Sequence, residues 1–314
     1  MTVKYTESKL ILMSSKQKEQ LEKIKNEVSQ RNGSVSTSQI IRDAIENVKK
    51  YHEIDIDLDK LDYDDHKVYE MISSGDTDGV FQLESRGMRQ FMRELKPSSL
   101  EDVIAGISLY RPGPMAQIPR YIYNKNHPDE IEYEHPLLKP ILDVTYGCMV
   151  YQEQVMQIVR DLAGYSLGRS DLVRRAMSKK KMDVMQQERK NFIYGIENED
   201  GSIEVPGAVR NGVPEDVANH IFDEMIDFAN YAYNKSHAAA YAVIAYQTAY
   251  LKYYYPVEFM AALMTSVMDN TDKVSEYIFT CRQMGITILP PDINEGEKNF
   301  SVDDRSIRYA LAAK

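Results

Sequence analysis

Two stretches of the 314-residue sequence hold polar and charged side chains close enough together to bind an anion. The first, DLVRRAMSKKK, places Arg174 and Arg175 just before Lys179, Lys180 and Lys181, on one or two helical turns and a loop. The planar fork of arginine holds phosphate oxygens in pairs and stays charged at any working pH, whereas lysine offers a point charge. Most such runs are a solvated helix face. The pattern alone leaves both interpretations open.

The second stretch, YNKSHAAAYA, begins a long alanine-rich helix with Tyr233, Asn234, Lys235, Ser236 and His237. The first backbone N–H groups of a helix have no partner within it, so a helix start with polar side chains nearby is a natural place for an anion. The alternative is that Ser236 merely caps the helix. Three later tyrosines are expected to lie in the core: Tyr241, Tyr246 and Tyr250.

A third stretch, EIDIDLD, repeats aspartate at every second position, at Asp55, Asp57 and Asp59. In an extended strand this spacing would put the three carboxylates on one face, as a two-metal centre requires. The spacing therefore raises a catalytic interpretation, which has to be weighed against the surrounding sequence.

The body of the chain resembles the family of bacterial DNA polymerase III alpha subunits. Six blocks carry the resemblance in the same order along some 260 residues: SSGDTDGVFQLESRGM (73–88), SLYRPGP (108–114), TYGCMVYQEQVMQI (145–158), DLVRRAMSKKK (171–181), YNKSHAAAYAVIAYQTAYLK (233–252) and LPPDIN (289–294). The resemblance implies the mainly α-helical fingers region of a replicative polymerase, which adds dNTPs to a primer on a DNA template.

The resemblance also implies roles for the two anion-binding stretches. Arg174 and Arg175 would grip the triphosphate of the incoming dNTP, which brings about four negative charges. Tyr233 and Asn234 would contact the nascent base pair, since an aromatic face can stack on any base. The other polar residues of the second stretch, Lys235, Ser236 and His237, are assigned to nucleotide binding. Four further residues are assigned more loosely to DNA and nucleotide phosphates: Lys179, Lys180, Lys181, and Arg111 of the RPGP turn.

In that family the catalytic aspartates lie far upstream of GVFQLES, whereas an acidic segment like EIDIDLD directly precedes it. We therefore expect no catalytic residue and no metal site in this chain. The resemblance places Mg²⁺ in a palm that this sequence does not contain. The chain would be a fusion, a recombined reading frame or an engineered piece.

Residues 1–52 differ from this body and resemble a ribbon-helix-helix module. A short apolar strand at 8–13 precedes a helix that stops at Asn32-Gly33, and Ser36 with Gln39 forms a capping-box pattern that starts a second helix. Such modules dimerise through their strands and read DNA with them. Here the strand lacks a polar reading face, so a homodimeric DNA-binding module and a plain helical packing unit both stay open.

The expected architecture is mainly α, with the ribbon-helix-helix-like module at 1–52 and the fingers region at 53–314. Ten helices are expected in the body, at 67–73, 87–94, 99–108, 152–163, 170–177, 181–194, 215–227, 236–254, 257–268 and 271–284. Proline and glycine mark loops at 111–114, 197–212 and 289–294.

Composition excludes several classes of protein. The net charge of -10 argues against a nucleic-acid coat protein, although residues 1–52 carry ten lysines and arginines against six acidic residues. Cys148 and Cys281 are far apart in the sequence, and neither has a His or Cys neighbour at the spacing of metal ligands. Neither a disulfide framework nor a zinc site is therefore expected, which fits a reducing cytoplasm. No signal peptide or membrane span is expected. The expected partners are primer–template DNA, dNTP and other replisome subunits.

We predict that the purified chain, given Mg²⁺, dNTPs and a primer–template, extends no primer. The reason is the expected lack of a metal-binding carboxylate pair. Primer extension followed on a denaturing gel tests this. Extension that disappears in Asp55→Asn or Asp57→Asn would instead establish those aspartates as metal ligands.

Overall fold

The computed structural model describes residues 36–179, 181–229 and 232–313. Within these ranges the chain is mainly helical, as predicted. It divides into two compact units, one made of the described residues up to Val103 and from Ala239 onward, the other of Ile104–Ala238. The strand and first helix predicted within residues 1–35 lie outside the described residues, and so does Lys180.

The helices of the described residues are α1 (Thr37–His52), α2 (His66–Ser74), α3 (Arg86–Leu95), α4 (Leu100–Leu109), α5 (Ile118–Asn126), α6 (Lys139–Leu142), α7 (Gln152–Ala163), α8 (Leu167–Ser178), α9 (Met182–Tyr194), α10 (Glu215–Ala229), α11 (Lys235–Tyr254), α12 (Pro256–Ser266) and α13 (Thr271–Gln283). The sequence missed α5 and α6. Both carry a proline in the first turn, where its missing N–H costs nothing, and this proline reads as a loop signal. In the described ranges, no helix has the length and apolarity needed to cross a membrane.

Five short strands within the described residues were not predicted. β1 (Ile196–Glu197) and β2 (Ile203–Val205) form an antiparallel ribbon within the insert that was expected to be a loop. In the other unit, β5 (Ser306–Arg308) lies between β3 (Thr287–Leu289), which is parallel to it, and β4 (Ser301–Asp303), which is antiparallel. Strands of two or three residues carry too little alternation to be recognised in sequence.

Helix α1 begins where its capping pattern predicts. The Ser36 hydroxyl accepts a hydrogen bond from the Gln39 N–H at 3.3 Å. The Gln39 side chain bonds within the helix: its Oε1 accepts from Arg42 at 2.7 Å, and its Nε2 donates to Asp43 at 2.6 Å. The apolar stripe of α1 packs against α12, and its buried members are Ile41, Ala44 and Val48. This second helix of the predicted module is therefore part of the core of its unit.

Of the three tyrosines of α11 that were expected in the core, Tyr246 lies there. Its side chain is fully buried, with ring centroids of Tyr63 and Tyr69 at 5.0 and 5.3 Å. Its hydroxyl donates to the Asp62 carbonyl at 3.1 Å, so the buried polar tip is paired. Tyr241 and Tyr250 are only half-buried.

The other unit is built around α7, α8, α9 and α10. Their inward faces form one apolar cluster with members from all four helices, including Ile158, Val173, Phe192 and Phe222. The rings of Phe192 and Phe222 lie 5.4 Å apart. Burying aromatic and branched side chains is the main source of stability for such a bundle. The cluster fixes α7 and α8 side by side, which matters for the candidate site.

Lys252 of α11 is a buried cation. Only 3% of its surface is exposed, and its Nζ donates to the backbone carbonyls of Asp76 and Asp78 at 2.9 and 2.8 Å. It thereby holds the GDTDG loop that follows α2. Burial lowers its pKa to about 8, because the charged form loses hydration.

We predict that the contribution of Lys252 to stability rises between pH 7 and 9.5. The folded pKa of Lys252 is about 8, below the ordinary 10.5, so in this range this residue binds more protons in the unfolded chain than in the folded one, and it contributes at most about 2 kcal/mol. Burial raises the pKa of the Cys148 and Cys281 thiols, which opposes this rise near pH 9, so the quantity to compare is the difference between the chain and Lys252→Met. Urea unfolding across this pH range measures it. In Lys252→Met the rise should be lost, and a rise that persists unchanged in this variant would assign it to other groups.

Candidate functional site

The two arginines of DLVRRAMSKKK share one carboxylate. On α8, the Arg174 Nε and Nη2 lie 2.8 and 2.7 Å from Asp171 Oδ1, and the Arg175 Nε lies 2.7 Å from Asp171 Oδ2. The hydrogen bond from Arg174 holds the pKa of the Asp171 carboxyl below its usual value. Two guanidiniums on one carboxylate leave a net positive charge, so this corner of an acidic protein can attract an anion.

Exposure separates the two arginines. The Arg174 side chain is 29% exposed and is held from two sides, whereas the Arg175 side chain is 63% exposed. A half-buried guanidinium is screened less by water than a surface one. Arg174 therefore has more partners and less screening by water than Arg175.

Gln152, the first residue of α7, connects Arg174 to the segment before α11. Its side-chain Oε1 accepts from Arg174 Nη1 at 3.3 Å, and its Nε2 donates to the Ala232 carbonyl at 3.2 Å. Its backbone N–H donates to the Tyr233 carbonyl at 2.9 Å, next to a parallel bridge between Tyr151 and Tyr233. The structure thus brings Arg174 and Tyr233 into one hydrogen-bonded cluster.

The start of α11 is capped from within the chain. The Lys235 N–H lies 3.2 and 3.1 Å from the two carboxylate oxygens of Glu153, and the Asn234 Oδ1 accepts from the His237 N–H at 3.1 Å. The helix is capped by Asn234, so the alternative that Ser236 caps it is wrong. Because these backbone donors already have partners, an anion here would be held by side chains.

Two other site residues pack against the ring of Tyr233. The Arg111 guanidinium carbon is 4.1 Å from the centroid of its ring, and the His237 ring meets it edge-on at 5.7 Å. Burial lowers the pKa of both Arg111 and His237. For His237 this favours the neutral ring at pH 7, so its role would be that of a hydrogen-bonding group rather than a cation.

The remaining predicted site residues lie at the edges of the cluster around Arg174 and Tyr233. Lys179 and Lys181 are exposed near the end of α8, and Ser236 is half-buried at the start of α11. The Lys235 ammonium lies over the Tyr151 ring at 5.1 Å. Lys180 falls outside the described residues.

Sequence reasoning missed three residues that organise this cluster: Asp171, Gln152 and Glu153. Asp171 stands inside the quoted DLVRRAM block, and its spacing of three and four residues from the arginines was a usable signal. Gln152 and Glu153 belong to the quoted TYGCMVYQEQVMQI block, but nothing local shows that they reach a segment about 80 residues later.

Gln154 fixes the backbone on which Gln152 depends. This amide is buried, its Oε1 accepts from the Val150 and Tyr151 N–H groups at 2.8 and 3.0 Å, and its Nε2 donates to Thr145 Oγ1 at 2.7 Å. A further bond of 3.3 Å reaches the Ile141 carbonyl. All four hydrogen-bonding positions of the amide are thus in use.

The aspartates of EIDIDLD bond to lysines and to the local backbone. The Asp57 carboxylate accepts from the Asp59 N–H at 3.1 Å and pairs with Lys60 at 2.9 Å, while Asp55 lies 3.4 Å from the Lys49 ammonium. Across the ranges that the structure describes, no group of three or more His, Cys, Asp or Glu side chains could hold a metal ion. These residues do not fit a Mg²⁺ centre.

Comparison with known proteins decides the family. The sequence model of the bacterial DNA polymerase III alpha subunit finger domain matches residues 37–200. The chain belongs to this family. The match begins within the predicted ribbon-helix-helix-like module and includes α1, and it also takes in Arg111, Gln152 and both arginines of α8.

Curated relatives extend the match over most of the chain. DNA polymerase III subunit alpha of Thermus aquaticus is 50% identical over 271 residues, which is 85% of this chain and 21% of that protein. The Bacillus subtilis protein of the same name is 46% identical over 266 residues, 85% of this chain and 23% of the relative. That of Mycobacterium tuberculosis is 45% identical over 280 residues, 87% and 23%. The chain thus spans about a fifth of the length of these relatives.

We predict that Gln154→Leu destabilises the finger domain by about 2–4 kcal/mol, because it leaves buried N–H groups of the 150–151 backbone without an acceptor. Urea denaturation monitored by circular dichroism measures the loss. Gln157→Leu, an exposed position on the same helix, is the matched control and should change stability by less than about 0.5 kcal/mol. Equal effects of the two substitutions would contradict the assignment.

Proposed function

We propose that this chain supplies the incoming-nucleotide and primer–template contacts of a replicative DNA polymerase. The observation that carries the proposal is the cluster in which Gln152 joins Arg174 to the Tyr233 segment. In this cluster, a guanidinium group suited to a phosphate is joined to a segment whose aromatic ring is suited to a base. The family membership supports the same reading, since finger domains belong to DNA polymerase III alpha subunits.

Arg174 and Arg175 are assigned to the triphosphate. Asp171 orients both guanidiniums without cancelling their charge, which suits a ligand that carries about four negative charges. Arginine has five N–H donors, so a guanidinium bonded to Asp171 can also bond a phosphate oxygen. Lys235, together with Lys179 and Lys181 near the end of α8, would add positive charge around the phosphates and the template. Lys180 is assigned the same role from the sequence alone.

Tyr233 and Asn234 are assigned to the nascent base pair, with Ser236 and His237 beside them. The Arg111 guanidinium lies over the Tyr233 ring, and a base stacked on this ring would lie close to that cation. Arg111 would then hold the Tyr233 ring in one orientation and add a positive charge that attracts the DNA backbone.

The proposed partners are dNTP and primer–template DNA in the cytoplasm, together with other replisome subunits. The Mg²⁺ used in template-directed synthesis is assigned to carboxylates beyond the described residues, because those present do not fit it. The homodimer through residues 1–52, and the alternative of a non-enzymatic DNA-binding protein, stay predictions that depend on residues 1–35.

We predict that Arg174→Ala and Arg175→Ala each weaken the affinity of the full chain for dATP with Mg²⁺ by roughly tenfold to a hundredfold. A hydrogen bond to a charged group contributes about 1.5–3 kcal/mol, which corresponds to this range. Isothermal titration calorimetry measures the affinity.

The matched control is Arg160→Ala. Arg160 lies on α7 in the same unit, is bonded to its neighbour Asp161 and is about two turns from Gln152. Arg160→Ala therefore removes the same positive charge, but away from the candidate site. If the α8 variants matched this control, or if the unmodified chain did not bind dATP, the proposed phosphate grip would be wrong.

A further inference from the structure

We propose that Gln152 is a positioning residue that orients Arg174 for the triphosphate and fixes the backbone of Tyr233 at the same time. The inference rests on the proposed function of this cluster and adds a residue that neither the family match nor the sequence motifs single out.

The contacts of Gln152 point in two directions. Its Oε1 accepts from Arg174 Nη1, while its Nε2 and its backbone N–H donate to the carbonyls of Ala232 and Tyr233. The carboxamide is therefore used at both ends, and a rotation that improved one contact would break the other. The side chain is half-buried, so water does not replace these bonds at no cost.

The neutrality of Gln152 is the central physical point. Arg174 already has one carboxylate partner in Asp171. A second carboxylate at position 152 would hold the guanidinium at least as firmly, but it would cancel the positive charge that the triphosphate needs. A glutamine carbonyl orients the guanidinium and leaves its charge intact.

Gln152 also couples two parts of the site. Arg174 comes from α8, and Tyr233 comes from a segment about 60 residues further along the chain. Because both are bonded to one side chain and one backbone N–H, the spacing between the phosphate contact and the base contact is set at this residue. A misplacement of about 1 Å at such a site is enough to weaken function strongly.

The test compares Gln152→Ala and Gln152→Glu in the full chain. We expect Gln152→Ala to weaken dATP binding about threefold and Gln152→Glu about tenfold or more. The glutamate variant gains an ion pair with Arg174 but sets a carboxylate oxygen against the Ala232 carbonyl, so we expect it to be about as stable as the alanine variant although it binds dATP more weakly. A merely structural residue would give affinities that follow stability.

Gln157→Ala and Gln157→Glu serve as controls, because Gln157 lies on the same helix and is exposed. These substitutions make the same changes of side chain and charge away from the cluster. A second readout needs no nucleotide. The NMR order parameter of the Arg174 Nε–H should fall in Gln152→Ala and stay high in Gln152→Glu.

The outcomes separate the two proposals. If Arg174→Ala weakens dATP binding but both Gln152 variants bind like the Gln157 controls, the positioning role is overturned and the phosphate grip stands. If the order of the Arg174 Nε–H does not change in Gln152→Ala, the positioning role is overturned whatever the affinities. If that order falls while Arg174→Ala leaves dATP binding unchanged, Gln152 orients Arg174 but the phosphate grip is wrong.

Discussion

The buried amide of Gln154 is the interaction on which the candidate site depends. It satisfies the N–H groups of Val150 and Tyr151 and ties them to Thr145 and to the carbonyl of Ile141. A loop entering a helix has unpaired backbone groups, and in a buried place each of them would otherwise cost free energy. With the backbone of Val150 and Tyr151 fixed, Gln152 and Glu153, which follow them, have defined positions.

Those next residues, Gln152 and Glu153, hold the rest of the cluster. Glu153 bonds the first N–H of α11, and Gln152 bonds the preceding carbonyls and Arg174. Apolar packing among α7, α8, α9 and α10 supplies the rigid frame beneath these bonds. Side chains placed on rigid helices can hold a binding geometry more tightly than side chains on loops.

Charge is distributed so that an acidic protein keeps a basic corner. The chain has a net charge of -10, yet two guanidiniums share one carboxylate at Asp171. Net charge therefore says little about local potential. In the other unit, Lys252 shows the opposite solution, a single buried cation held by backbone carbonyls at the cost of a lowered pKa.

The sequence by itself determined the helical character, the order of the long helices and the family, because apolar periodicity, caps and short motifs are local properties of the chain. It also supplied the arginines and the Tyr233 segment as candidates. It missed α5 and α6, whose prolines resemble loop signals, and the strands of two or three residues. Only the tertiary structure decided that Gln152 and Glu153 reach residues about 80 positions away, that Asn234 rather than Ser236 caps α11, and that α1 is part of a core. These contacts depend on packing between distant segments, and no local pattern encodes the distance between them.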